Sequence, residues 1–280
     1  MSDHRLESRT RWASAAEAWE AHAEKLHRDT MPVSTWMVEA LAPQPGDTLL
    51  ELAAGPGDTG FLAAELIRPG GTLISSDLVP EMLSVAQRRA ERLGLDNVRF
   101  KQIDAETAID LEAASVDGVI CRWGYMLMVD PGTALRETRR VLKPGGRLVL
   151  AAWAGPEENP WSAVPGRELV KRGLIEPVGP DEPGQFAWAP EGVIAEQLEA
   201  AGFVEHELES IAFTNRYASL DDYWTTQSQM SGRMRTALAG ADKALIEDIK
   251  AAVGAAVEPS TAPDGSIALP GRTWVAAATA

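Results

Sequence analysis

Glu51 closes the apolar run Thr48-Leu49-Leu50-Glu51, and Gly55, Gly57 and Gly60 follow it within nine residues. An apolar strand that enters a Gly-rich turn and then a helix presents bare backbone N–H groups beside a surface almost free of side chains. Such a bend suits an anionic or highly polar ligand. The same glycines fit G-x-G-x-x-G, the spacing that cradles a pyrophosphate, and Asp77 lies about 20 residues on, where an acid meets ribose hydroxyls. Glu51 makes a second demand. A carboxylate inside an apolar strand is costly to bury unless a cation or a hydrogen-bond donor meets it. It is either an acid satisfied by backbone or water, or one that orients a positively charged part of a ligand. A nicotinamide dinucleotide offers no cation over its pyrophosphate; a sulfonium compound carrying an ammonium group does.

Glu51-Leu52-Ala53-Ala54-Gly55-Pro56-Gly57 resembles the first motif of the class I S-adenosylmethionine-dependent methyltransferases, an acid-x-small-x-Gly-x-Gly pattern. The likeness continues in register over roughly residues 45–155. Thr72-Leu73-Ile74-Ser75-Ser76-Asp77 is similar to the second strand, ending in the acid that holds the ribose. Pro80-Glu81-Met82-Leu83 opens the next helix, with Met82 matching the apolar residue that lies against adenine. Residues 98–106 resemble the third strand and the loop that recognises the adenine amine, 116–121 the fourth strand, and 139–150 the segment entering the fifth. The resemblance implies S-adenosyl-L-methionine as cofactor. It also implies a site made by Trp19, Glu51, Ala53, Gly55, Gly57, Asp77, Leu78, Met82, Asp104, Ala105, Glu106 and Arg122.

The elements that must position these residues alternate short apolar strands with amphipathic helices between 46 and 153, as parallel strands joined by helical crossovers do. The fold implied is α/β, a Rossmann-like doubly wound seven-stranded sheet, mostly parallel with one antiparallel strand. Before it, residues 1–45 read as a helical cap: Trp12, Ala16, Trp19, Ala23 and Leu26 share one face, and Ser34 is placed to cap a second helix carrying Trp36, Met37, Ala40 and Leu41. Seven prolines between 154 and 190 suggest a structured loop. A helix from about Pro190 to Ala201 and a strand from Phe203 resume the rhythm. Residues 213–265 read as a helical substrate-cap insertion between the last two strands, with Ser219 capping its first helix and a second helix through Leu245, Ile246, Ile249 and Val253. The core is then 46–212 with 266–280, closed by the strand Trp274–Ala278.

Composition narrows the setting. The 280 residues, 45% hydrophobic, suffice for one sizeable core. A single cysteine, Cys121, excludes an intramolecular disulfide framework and fits a reducing compartment; its apolar surroundings mark it as a core residue. The polar N-terminus has no signal-peptide pattern and no run of about 18 apolar residues occurs, so a soluble cytoplasmic protein without membrane partners is expected. The formal charge of −15, from 41 acids against 26 bases, disfavours a nucleic-acid substrate. Two arginine clusters, Arg88, Arg89 and Arg92, and Arg136, Arg139 and Arg140, are expected to face solvent.

Methyl transfer from a sulfonium is an in-line displacement, so the chain must supply alignment, water exclusion and at most a base. His22 and His27 flank the Trp19 stripe, and His22 is the catalytic candidate together with Tyr125, just past the fourth strand. Trp123, Tyr125, Trp153 and Trp161 are candidates for an aromatic substrate pocket. The segment Cys121-Arg122-Trp123-Gly124-Tyr125-Met126 lacks the Asn-Pro-Pro-Tyr of many amide and base N-methyltransferases. It also differs from the quinone C-methyltransferases at the equivalent loop. A small-molecule acceptor is expected, with O-methylation ahead of C- or N-methylation, and no metal. The rivals are a nicotinamide-dependent oxidoreductase, which lacks a Tyr-x-x-x-Lys here, and a noncatalytic S-adenosylmethionine-binding protein.

Overall fold

Apolar runs too short for helices and rich in Leu, Ile and Val form β1 (Thr48–Glu51), β2 (Thr72–Asp77), β3 (Val98–Gln102), β4 (Val116–Arg122) and β5 (Leu142–Trp153) in the computed structural model, which describes residues 3–179 and 182–280. Pro180 lies outside the described residues. Leu49, Leu50, Leu73, Val119, Ile120, Leu148 and Val149 are buried, because crossover helices α4 (Thr59–Leu66), α5 (Pro80–Leu93) and α6 (Pro131–Val141) join and cover the strands. After β5 come α7 (Pro160–Lys171), α8 (Val193–Ala200), β6 (Val204–Tyr217), α9 (Leu220–Met230), α10 (Gly232–Ala239), α11 (Lys243–Val257) and β7 (Ile267–Thr279). The sheet order is β3-β2-β1-β4-β5-β7-β6. β1 to β5 pair in parallel, and β7 runs antiparallel to both β5 and β6. This is the expected seven-stranded doubly wound sheet with one reversed strand. Strand order reverses between β1 and β4, so a crevice opens at the carboxyl ends of those strands, where the glycine bend lies.

The flanking helices depart from the sequence reading in four places. Ser34 caps nothing. After α1 (Asp3–Ala13) and α2 (Ala16–Ala21), α3 runs unbroken from Ala23–Leu41 through Pro32. Burial of Val33, Met37, Val38 and Leu41 outweighs the hydrogen bond that the proline removes. The Pro-rich segment forms α7 across Pro165 because Ala163, Leu169 and the proline itself pack inward. The cap has three helices where two are expected, with Ser219, Ser231 and Asp242 each accepting a backbone N–H at an N-terminus. β6 extends to Tyr217, past the expected break at 213.

Tyr217, Tyr223, Trp224, Ile249, Val253 and Ile267 form a second apolar cluster that seats the cap helices on the extended β6–β7 ribbon. Among the described residues no helix is long and apolar enough to cross a membrane.

Candidate active site

One cavity of about 1210 Å3 begins at the glycine bend and runs beneath α1, α7, α9 and α10. Its floor is the end of β1 and the turn that follows. Gly55 and Gly57 have φ of +55° and +68°, and a Cβ at Gly57 would overlap the Phe61 ring. The position therefore needs glycine both for its backbone and for its packing. Gly57→Ala is expected to destabilise the protein by about 2 kcal/mol and weaken cofactor binding at least tenfold. A thermal melt and a calorimetric titration with S-adenosylmethionine check this.

Glu51 is buried on this floor. Its Oε1 accepts the Gly60 N–H at 2.8 Å and its Oε2 lies 3.5 Å from the Ser75 hydroxyl. A Cβ at Gly60 would overlap the carboxylate, so the third glycine of the motif makes room for the acid. Burial pushes the Glu51 carboxyl up to about 7, against the pull of the Gly60 N–H, Arg122 and Ser75. No cationic side chain pairs with it among the described residues, since Arg122 pairs with Asp58 at 2.6 Å. Asp58 in turn accepts from His27, and Arg122 donates to Thr30 Oγ1 at 2.9 Å and Ser34 Oγ at 3.3 Å. Burial pulls Asp58 upward, but Arg122, His27 and Arg89 together hold it below the usual carboxylate range. The hydrogen bond to Asp58 raises His27.

This network is absent from the sequence reading. Ser34 reads as a helix cap and nothing local marks Thr30 or Asp58; only their meeting across α3 and the head of α4 makes them a site. Arg89 is a correction: it is buried instead of facing solvent, and it donates to the Pro56 and Gly57 carbonyls. It clamps the glycine bend from α5. Arg88 and Arg92 do lie on the exposed side, both bonded to Glu20.

Asp77, at the tip of β2, accepts from Gly55 N at 2.9 Å and Val79 N at 3.1 Å. Burial raises its carboxyl, partly offset by the Val79, Gly55 and Leu78 N–H groups. Leu78, Met82, Asp104, Ala105 and Glu106 line the same end of the cavity. Arg5 of α1 pairs with Asp104 and comes within 3.7 Å of Glu106. Trp19 packs edge-on to Trp12 at 5.5 Å and donates to the Met230 carbonyl at 3.3 Å, so the first cap touches the second over the cavity. Of the twelve cofactor-site residues expected from the sequence, all but Gly57 line this cavity, and Gly57 lies directly beneath it.

At the other end the walls are aromatic. Trp123 and Trp153 stack with centroids 4.0 Å apart, and Trp161 meets Trp153 edge-on at 5.1 Å. Tyr125 does not join them. It is fully buried on the far side, stacked on Trp188 at 5.9 Å, with its hydroxyl on Thr138 Oγ1 at 2.7 Å. The 3-10 turn Tyr125–Leu127 carries the ring under α6, and burial raises its hydroxyl well above the usual tyrosine range, so it neither lines the pocket nor serves as a base. Trp36, Trp188 and Trp224 also pack away from the cavity. His22 lines it, with Nε2 2.8 Å from Gln229 Oε1, whereas His27 is committed to Asp58. Burial pushes the Cys121 thiol up to about 12, which makes it an inert core residue.

The cavity's glycine end fits S-adenosylmethionine by the chemistry of its donors. An uncompensated buried acid faces where a cationic tail would lie, a second acid ends β2, and an apolar methionine follows at the head of α5. A family profile described as methyltransferase domain matches residues 43–172. The demethylmenaquinone methyltransferase of Clavibacter sepedonicus is 35% identical over 187 residues, covering 60% of this chain and 70% of that protein. Its namesake in Thermus thermophilus is 37% identical over 116 residues, 41% of this chain and 51% of that protein, so the chain spans about half of this relative. The YcgJ protein of Bacillus subtilis shares the fold, with a TM-score of 0.57 at 20% identity over 88% of this chain and 97% of that structure. With the acid-glycine motif, the strand order and the Clavibacter relative in agreement, the chain belongs to the class I S-adenosylmethionine-dependent methyltransferases.

Proposed function

We propose that the protein transfers a methyl group to an oxygen of a small, planar, apolar acceptor held between its aromatic wall and its helical caps, α1–α3 and α9–α11. The observation that carries this reading is the continuity of one cavity from the glycine bend to Trp123, Trp153 and Trp161. Bound at the bend, S-adenosylmethionine supplies a methyl group made electrophilic by its sulfonium. In this reading Asp77 accepts from the ribose hydroxyls, Met82 packs on the purine and Asp104 meets its amine. Glu51 counters the ammonium end of the same ligand. The tryptophan faces align a flat ring, and the caps exclude water. Among the described residues His22 is the one histidine on the cavity wall, and it takes the acceptor's hydroxyl proton. The charge of −15 supports a small acceptor over a polyphosphate one.

Transfer to carbon is a second reading, favoured by the name of a relative in Pasteurella multocida, a ubiquinone/menaquinone biosynthesis C-methyltransferase 36% identical over 120 residues. Incubation with methyl-labelled S-adenosylmethionine and a panel of phenols, naphthols and quinols decides between them. Label on oxygen supports the first reading, and label on a ring carbon replaces it with the second. If the cofactor binds and no member of the panel is labelled, both fail. Trp161→Leu is expected to raise KM for an active acceptor about tenfold while leaving cofactor affinity and kcat near their original values.

A further inference from the structure

The cationic side chains that line the cavity fall into two groups. Arg5, Lys25, Arg122, Arg167 and Lys171 each form an ion pair, with Asp104, Asp29, Asp58, Glu157 and Glu168 in turn. Arg11 and Arg233 form none among the described residues, although acids outnumber bases 41 to 26 in the chain. The Arg233 guanidinium donates only to the Glu176 backbone carbonyl, at 2.6 Å, and the Arg11 guanidinium has no hydrogen-bond partner among the described residues.

Packing brings the two arginines to one junction of α1 and α10. The Arg11 stem, on α1, lies against Gly232 at the head of α10, one residue before Arg233. Both side chains are partly buried. Burial and the neighbouring Arg233 charge hold Arg11 below the usual arginine range, with Glu7 offsetting only part of this. Like charges held side by side at a cavity wall are unfavourable unless an anion joins them. Neither pairs with the acids of the purine end, where Arg5 is engaged with Asp104 and Glu106. Arg233 instead reaches Glu176, a few residues beyond α7, the helix that contributes Trp161.

We infer that Arg11 and Arg233 form an anion subsite for the acceptor, taking the oxygens of a carboxylate, sulfonate or phosphate attached to its apolar ring. This rests on the acceptor reading above and names what that acceptor carries. Guanidiniums from two helices suit a trigonal or tetrahedral oxyanion, since each presents paired N–H donors. Occupation of the subsite also ties α1 to α10 across the cavity mouth.

Two fluorescent probes of nearly the same shape test it on the S-adenosylhomocysteine-loaded protein: anilinonaphthalene sulfonate and uncharged phenylnaphthylamine. The sulfonate is expected to bind at least about tenfold more tightly than the neutral dye. Arg11→Gln and Arg233→Gln should each weaken the sulfonate about tenfold and leave the neutral dye within about twofold, and Arg11→Lys should fall between Arg11→Gln and the unaltered protein, because an ammonium keeps the charge and loses the paired donors. Equal losses for both dyes, or no loss for either, overturn the subsite. A loss of S-adenosylhomocysteine affinity in Arg11→Gln also overturns it, because the pair would then serve the cofactor's own carboxylate. Failure of the parent reading registers separately, as no S-adenosylhomocysteine binding by the unaltered protein or no labelled product from the acceptor panel.

Discussion

Glu51→Gln is expected to make the ligand-free protein more stable at pH 8 and less able to hold S-adenosylmethionine. The carboxyl titrates near 7 in the folded protein, chiefly through burial, against an ordinary value of 4.5. The unfolded chain therefore releases this proton first as pH rises. The group's favourable contribution is fully present below about pH 4.5 and is lost progressively until pH passes about 7. The separation is worth about 3 kcal/mol above pH 7. Glutamine keeps an acceptor for the Gly60 N–H and removes the buried charge. The melting temperature should rise by about 5 °C at pH 8 and by much less at pH 5. Binding should move the other way, because the negative charge is what meets a cationic ligand. A charge-assisted contact of about 1.5–3 kcal/mol corresponds to a ten- to hundredfold loss of affinity. In the unaltered protein, affinity should fall as pH is lowered from 8 through 7, a dependence that Glu51→Gln abolishes. Calorimetric titration at several pH values reads both effects. An unchanged affinity would remove Glu51 from the role of counter-charge.

Arg122→Met is expected to cost about 3–5 kcal/mol, the penalty for stranding a buried acid. The side chains of Arg122 and Asp58 are only 10% and 5% exposed, so water does not replace the lost partner. The cation still bonded to Asp58 is then His27, whose pKa Asp58 raises, while Arg89 acts on the acid only through its charge, which a guanidinium keeps throughout this range. A raised histidine stabilises fully below its unfolded value and ceases to do so as pH climbs through the folded one. The damage should therefore be smaller at pH 6, where imidazolium still faces Asp58, and larger at pH 8. Adding Asp58→Asn should recover most of the stability, because the pair can be removed together far more cheaply than it can be broken. Denaturant melts at the two pH values check it, and equal losses at both would exclude His27 as the reserve charge.

The parts of this molecule that were legible in the sequence are those fixed by local rules. The β1 bend could be read because glycine spacing and an acid in an apolar strand are both unusual within a dozen residues. The parallel strands were readable from unbroken apolar runs, and Ser219 was readable as a cap. What escaped was decided by contacts between distant segments. Ser34 resembles an N-cap locally, yet α3 continues because its apolar face is buried. Arg89 belongs to a basic helix stripe and turns inward because the Pro56 and Gly57 carbonyls need donors. Tyr125 follows a strand end, as a pocket residue would, but the 3-10 turn rotates it under α6. Arg11 and Arg233 are more than 200 residues apart in sequence, so nothing local marks them as a pair.

The placement of β7 bears on how the nascent protein matures. β5 and β6 never touch in register; each pairs with β7, which is the last strand in sequence order and follows the three cap helices. Until Ile267–Thr279 has been synthesised, both partners present open hydrogen-bonding edges. Ribosome-bound chains should accordingly be most prone to aggregate, and most dependent on chaperones, in the window between completion of β6 and emergence of β7.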